Sequence, residues 1–329
     1  HRRMSFFAIL CALLIEQVRP LARDNPIHQG LRQWIRWVQR NLDAGRAHHG
    51  WLVWGVSALV PAAVSLVIHH LLMAVAGWFA AVLWHVALLY VTLGFRQFSH
   101  YFTEIRDALD AQDDARAREV LARWQQVDTA EVPRGELLRH VIEYSVLAAH
   151  RHVFGVLACY SVFVALGLGP AGAVLYRVVE FVARYWNRVD RIDGHTVSEG
   201  LRQASSRAWW WVDWLPSRLT ALGFAVTGRF EDAIDQWRRQ AARNPEDNDG
   251  VILAATSGAI DVRLGGRRLM PRARGVDDEL ATAEADATES TGGRDPEPAH
   301  LAQVVGLVWR TVVMWMLILA LMTLARLLG

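Results

Sequence analysis

The sequence contains no lysine; all 35 of its Lys-plus-Arg positions are arginine. Cysteine occurs only at Cys11 and Cys159, both in apolar runs. Two cysteines without metal-ligand spacing exclude a disulfide framework or a zinc ribbon, and buried free thiols are expected. No P-loop, His-Glu-x-x-His, Cys-x-x-Cys or Gly-x-Ser-x-Gly occurs, so the phosphate-cradling, zinc-protease and serine-hydrolase signatures are missing. The formal net charge is only +2, and nothing global points to nucleic acid. Gly167-Leu-Gly-Pro-Ala-Gly172 matches the dinucleotide fingerprint in form. It follows no soluble strand and precedes no βαβ unit, so it reads as a tight turn between membrane segments.

Apolar residues are abundant, at 53% of the chain, and there are 15 tryptophans. That fraction is high for a soluble protein. His1-Arg2-Arg3 ahead of Met4 reads as a tag remnant, with Met4 as the start. Residues 5–15 are apolar and end at Glu16 and Arg19, a short first membrane helix with a snorkelling end. Residues 19–50 are rich in arginine, and Leu31, Ile35 and Val38 fall at helical spacing, as in an amphipathic surface helix. Residues 51–73 and 75–94 read as membrane spans. His69, His70 and His85 lie in or beside them, and a helix-to-helix hydrogen bond is the expected role for His85.

Residues 95–140 read as a soluble helical insert of mixed charge. Residues 141–186 return to the membrane as a hairpin, with 144–168 and 171–186 as its arms. Polar side chains interrupt both arms, and for Glu180 a pairing with Arg151 or Arg177 and a catalytic role are equal expectations. In 187–266 the three consecutive tryptophans Trp209, Trp210 and Trp211 precede Asp213, Pro216 and Arg218. Tryptophan favours the membrane boundary, and Pro216 is placed at the first turn of a helix. Residues 267–300 have the composition of a disordered linker, and 301–329 form the last span. The expected fold is an all-α, polytopic integral membrane protein with helical inserts. Six segments put the arginine-rich stretches 19–50, 95–140 and 184–300 on one side, cytoplasmic by the positive-inside rule. Small residues near 169–173 permit helix association and a homo-oligomer.

Arg96, His100, Asp128, Asp213, Arg218, Asn248 and Asp261 are the scattered polar candidates. As a set they lie in motifs that resemble the CobD/CbiB family of cobalamin-biosynthesis membrane proteins. Arg96-Gln-Phe-Ser-His100, Ala108-Leu-Asp-Ala-Gln-Asp-Asp-Ala-Arg-Ala-Arg118 and Val127-Asp-Thr129 resemble its soluble insert. Gly169-Pro-Ala-Gly-Ala-Val-Leu-Tyr176 resembles its membrane turn. Pro216-Ser-Arg-Leu-Thr-Ala221 resembles its Pro-Ala-Arg-Leu-Thr-Ala-Leu box. Asn248-Asp-Gly250 with Gly258-Ala-Ile-Asp-Val-Arg-Leu-Gly-Gly266 resembles its late glycine-rich box.

The resemblance implies an inner-membrane protein. For its cobalamin branch it implies ATP- and Mg²⁺-dependent amide formation between adenosylcobyric acid and an aminopropanol moiety. On that reading Asp128, Glu143 and Asp213 are the catalytic candidates, and Glu143, Glu180 and Asp213 the metal candidates. Arg96, His100, Arg218, Asn248 and Arg263 would bind an anionic or phosphorylated small molecule. The chain departs from the enzymes' acidic pattern. Glu143 matches a first glutamate, but Ala149-His-Arg-His-Val-Phe stands where the rest of that motif belongs. The next Asn and Asp fall at Glu180 and Ala183, a pair of aspartates at Trp209 and Trp210, and an asparagine at Asp213. Asp213-Trp-Leu-Pro-Ser-Arg218 with Tyr185-Trp186 resembles the AmpE-like branch. The leading expectation is therefore a regulatory or ligand-binding protein of the β-lactamase-induction type, with Arg96, His100, Asp213 and Arg218 around an anion. The synthase is the alternative. A transporter using His85, His150, Arg151 and Glu180 is a third reading, which lacks the inverted repeats such folds carry.

Overall fold

A computed structural model describes residues 3–21, 25–43, 47–188, 191–192, 195–269 and 290–329. The side chains at 3–4, 47–48, 95–98, 188, 191–192 and 195 are outside that description. The described residues are almost entirely helical. The helices are α1 (Arg3–Val18), α2 (Pro26–Leu42), α3 (Ala47–Val75), α4 (Gly77–Thr92), α5 (Phe95–Asp110), α6 (Asp114–Gln125), α7 (Arg134–Ala149), α8 (Gly155–Ala165), α9 (Ala171–Arg188), α10 (Glu199–Thr227), α11 (Phe230–Arg243), α12 (Asn248–Ile260) and α13 (Pro298–Leu328). A π-turn at His150–Phe154 joins α7 to α8, and a two-residue antiparallel pair, Arg191–Ile192 with His195–Thr196, precedes α10.

Three helices are long and apolar enough to cross a membrane: His49–Val75, Arg134–Ala165 and Pro298–Leu328. Ser5–Val18 and Gly77–Thr92 are apolar but shorter. Beside the six expected segments, the described residues thus hold three long and two shorter apolar helices. α9 has apolar residues on one side only, and Arg177, Glu180, Arg184 and Arg188 interrupt it. Pro216 does not open a helix; it lies inside α10, as Pro61 lies inside α3. Interior proline forfeits one backbone hydrogen bond, and packing on either side can carry that cost.

The chain divides into two compact units. The first comprises His1–Phe95, Arg151–Pro216 and Ile318–Gly329; the second comprises Arg96–His150 and Ser217–Leu317. In the first, α1 packs on α4, and α3 packs on α2, α4 and α9. α2 forms because Asn25 caps it, its Oδ1 accepting from Ile27 and His28 N–H at 3.0 Å each, with Pro26 in the first turn. Its apolar stripe, Ile35 and Val38 with Leu31 and Trp34 alongside, joins Val53, Val178, Val182, Trp186 and Leu201 in one core cluster. The other face of α3 stays exposed through Leu59, Val64, Val67 and Leu71, the pattern of a lipid-facing helix. α8 and α9 approach so closely that a Cβ on Gly172 would stand 2.3 Å from the Cys159 carbonyl oxygen. The turn between them uses Gly167 and Gly169 at φ +79° and +54°, the left-handed region that glycine enters without strain. Both cysteines are free, but only Cys159 is buried; Cys11 is exposed, contrary to expectation.

In the second unit α11 and α12 form the closest pair, and α12 also packs on α7. α12 begins where the Asp247 carboxylate caps Gly250 N–H at 3.0 Å and ends at Asp261 with φ +52°. Residues after the undescribed 270–289 return to its far end. Arg263 N–H donates to Arg294 O, and Thr291 N–H to Leu264 O, at 2.7 Å each. His300 then accepts from Glu297 N–H in the first turn of α13. A Cβ on Gly258 would meet the Asp232 carbonyl oxygen at 2.3 Å.

Alanine at Gly172 or at Gly258 is therefore expected to destabilise the protein by about 1–3 kcal/mol through overpacking. Gly30→Ala, with nothing near its Cβ, is expected to be neutral or slightly stabilising. Thermal unfolding of the three variants in detergent checks the order.

Candidate functional site

Each apolar helix that carries a polar residue must give it a partner, and the partners define the site. In the second unit the centre is Arg139, buried on α7. Its guanidinium contacts Glu136 and Glu143 and donates to the Arg267 carbonyl oxygen at 2.9 Å. Glu143 Oε1 accepts from Arg139 at 3.0 Å and from Gly265 N–H at 2.7 Å. The candidate glutamate and the glycine-rich box are thus one structure. Arg139, Glu136 and His140 were absent from the sequence candidates. A basic residue flanked by glutamates at i−3 and i+4 on an apolar helix was the available signal.

Arg218 and Asn248 also meet. Arg218 Nη1 donates to Asn248 Oδ1 at 2.8 Å, and Nη2 reaches Pro245 O at 3.3 Å. One turn beyond Pro216, Thr220 Oγ1 lies 2.8 Å from His150 Nδ1. The other candidates of this unit stand apart. Asp128 is exposed and caps Ala130 N–H at 3.1 Å. It precedes α7, whereas Glu143 lies about 13 Å along that helix from its first residue. His100 is exposed on α5, 3.8 Å from Glu104, and Arg263 pairs with Asp295 at 3.1 Å at the surface. The Arg96 side chain lies outside the described residues.

Asp213 and Glu180 belong to the first unit. Asp213 is fully buried and accepts from the Tyr176 hydroxyl at 2.9 Å. Burial, and then the Asp213 charge, push the Tyr176 phenol well above its usual range, so it remains the donor. Tyr176 lies directly against Gly155, where a Cβ would be 2.1 Å from its oxygen. Glu180 sits between Arg177 at 3.4 Å and Arg184 at 3.5 Å. Burial raises its pKa, but Arg184 and Arg177 outweigh that and hold it at about 2. His85 bonds His69 at 3.0 Å and Tyr160 at 2.7 Å, a helix-to-helix link as expected.

Magnesium takes oxygen ligands and is often held by one or two carboxylates plus substrate phosphates. Here Glu143 already accepts from Arg139 and Gly265, Asp213 from Tyr176, and Glu180 lies between two arginines. Among the described residues no group of three His, Cys, Asp or Glu side chains could hold a metal ion. The residues expected to ligate Mg²⁺ therefore do not fit a protein-built magnesium cradle.

The fold and these partners define a helical integral membrane protein whose polar residues are organised by buried arginines. The chain belongs to the family described as CobD/Cbib protein, whose family model matches residues 8–308. It is similar to the cobalamin biosynthesis protein CobD of Stutzerimonas stutzeri (strain A1501), 27% identical over 286 residues that cover 84% of each chain. It is also similar to the protein of that name in Chromobacterium violaceum, 32% identical over 181 residues, 55% of each chain. A third, in Mycobacterium tuberculosis (strain ATCC 25618 / H37Rv), is 32% identical over 171 residues, 50% of each. No solved structure matches significantly. These relatives overturn the regulatory, AmpE-like expectation, because they carry the name of cobalamin biosynthesis. That expectation rested on missing carboxylates and on Asp213 in place of asparagine, features that distinguish a site's chemistry without placing a chain in a branch.

Two outcomes follow from this geometry. Arg139→Met leaves Glu143 without its cation and is expected to cost about 3–5 kcal/mol, much of it recovered in Arg139→Met/Glu143→Met; thermal melts of both variants decide. Glu180 titrates near 2 in the fold against a reference of 4.5. Its contribution is fully present above about pH 4.5 and is lost as pH falls toward 2. The stability gap between wild type and Glu180→Gln should therefore shrink across that window.

Proposed function

We propose that the chain is a membrane-embedded enzyme of cobalamin biosynthesis, joining adenosylcobyric acid to an aminopropanol moiety as adenosylcobinamide-phosphate synthases do. The observation that carries this reading is the meeting of Arg218 with Asn248 at 2.8 Å. It ties together the Pro-Ser-Arg-Leu and Asn-Asp-Gly boxes, which lie far apart in the chain. Arg218 is partly exposed, so its planar fork can take a carboxylate or phosphate of the substrate while Asn248 orients it. Glu143, held by Arg139 and Gly265, fixes the glycine-rich box in place. Arg263 is left to a surface ion pair with Asp295, and His100 stands exposed 3.8 Å from Glu104. The membrane is the bacterial inner membrane on this reading, with the arginine-rich stretches cytoplasmic.

The test uses purified protein in lipid nanodiscs with adenosylcobyric acid, aminopropanol phosphate, ATP and Mg²⁺, and mass spectrometry of the amide. Wild type is expected to form product. Arg218→Gln should lower kcat/KM by at least tenfold, and His100→Gln should leave it within about twofold. No product beside an active relative sinks the proposal.

A further inference from the structure

Three polar rings meet inside the apolar helices of the first unit. His85 on α4 lies 3.0 Å from His69 on α3, Nε2 to Nδ1, and its Nδ1 lies 2.7 Å from the Tyr160 hydroxyl on α8. All three side chains are buried. A buried hydroxyl needs an acceptor, and among the described residues Tyr160 has His85 as its hydrogen-bond partner. Tyr160 therefore donates to His85 Nδ1, His85 carries its own hydrogen on Nε2, and that hydrogen goes to His69 Nδ1. The set is complete with both imidazoles neutral. A proton added at His69 Nδ1 would set two N–H groups face to face at 3.0 Å. One added at His85 Nδ1 would turn the Tyr160 hydrogen away from its acceptor. Either change loses a hydrogen bond in an apolar surrounding, where water does not replace it.

His69 also reaches the turn between α8 and α9. A Cβ on Gly169 would stand 3.0 Å from its Cδ2 and 3.4 Å from its Nε2. That turn is held by Gly167 N–H to Val164 O at 3.1 Å and Leu168 N–H to Phe163 O at 2.8 Å, and Leu166 and Leu168 are exposed. Two charges act on the pair from outside. The exposed His70 ring is 5.2 Å from that of His69, and the amino terminus, which stays charged below neutral pH, acts on both rings. The other packed helices bring their charged groups elsewhere. α2 joins α3 in the cluster of Val53 and Ala58; Arg177 of α9, paired with Glu180, bonds Thr92 O beyond His85; and Glu16 of α1 precedes Arg19, whose carbonyl takes the Tyr90 hydroxyl.

We infer that His69 and His85 form a proton-sensitive latch, closed while both rings are neutral, that ties α4 to α3 and steadies the α8–α9 turn. This does not depend on the synthase reading. Imidazole is the side chain whose ordinary charge change falls between about pH 5 and 8. Protonation parts the two rings, His69 leaves Gly169, and the turn loosens.

Hydrogen–deuterium exchange of the full chain in lipid nanodiscs reads the turn peptide 163–171 at about pH 7 and about pH 4.5, corrected for the intrinsic exchange rate. Wild-type exchange is expected to rise by roughly threefold or more on acidification. His69→Gln and His85→Gln each replace a ring by an amide that donates or accepts but does not titrate, so each should remove most of that rise. His70→Gln should keep it. Circular dichroism shows which variants fold, and either folded variant of the pair suffices. Wild type with the same exchange at both pH values, a rise retained in a folded His69→Gln or His85→Gln protein, or a rise abolished by His70→Gln would overturn the assignment.

Discussion

A buried guanidinium, that of Arg177, holds the first unit's helices to one another. Helix ends leave carbonyl oxygens without intrahelical donors, and hydrocarbon offers no water to satisfy them. Arg177 meets that need for two elements at once. Its Nε and Nη2 donate to Thr92 O in the last turn of α4, at 3.2 and 3.0 Å, and Nη2 donates to Arg151 O in the π-turn at 2.9 Å. Glu180 supplies the countercharge. Gly94 N–H adds a bond to His152 O at 3.2 Å across the same junction. Arginine suits this place because its planar fork serves several acceptors and keeps its charge when buried.

The second unit repeats the principle with Arg139, which binds two glutamates and the Arg267 carbonyl. In both units packed helices gain a directional contact that dispersion alone does not give. Packing of small residues does the rest: Gly172 against Cys159 and Gly258 against α11 let backbones approach more closely than any side chain would permit. The chain leaves the second unit at His150 and enters the first at Arg151, within the π-turn His150–Phe154. Such turns interrupt a helix's regular bonding, and here that interruption presents the carbonyl that Arg177 takes.

The candidate site was legible in part. Arg218, Asn248 and Glu143 could be chosen from motif matches, and each lies in a contact that links two motifs. Their partners could not be chosen. Gly265 acts through its backbone N–H, which no residue type advertises, and Arg139 looked like one arginine among many. Asp213 was read as facing a ligand, yet it is buried against Tyr176. A carboxylate beside tryptophans at a membrane boundary has the same sequence appearance whether it faces solvent or a phenol.

The sequence by itself determined the all-helical membrane class, the stripe on α2, the glycine turn at 167–169 and the family motifs. These depend on local periodicity, length and composition, which hydrophobic burial reads directly. It also indicated that His85 would be paired, because an apolar environment penalises an unpaired polar group, and left Glu180 between an arginine pair and a catalytic role. Only the tertiary structure decided the partners: His69 and Tyr160 for His85, Gly265 for Glu143, and for Glu180 Arg184 together with Arg177, one of the two arginines the sequence offered. It also decided that Pro216 lies within a helix. Hydrogen bonds between distant segments depend on distances of a few tenths of an ångström, and chain order carries no record of them until the helices are packed.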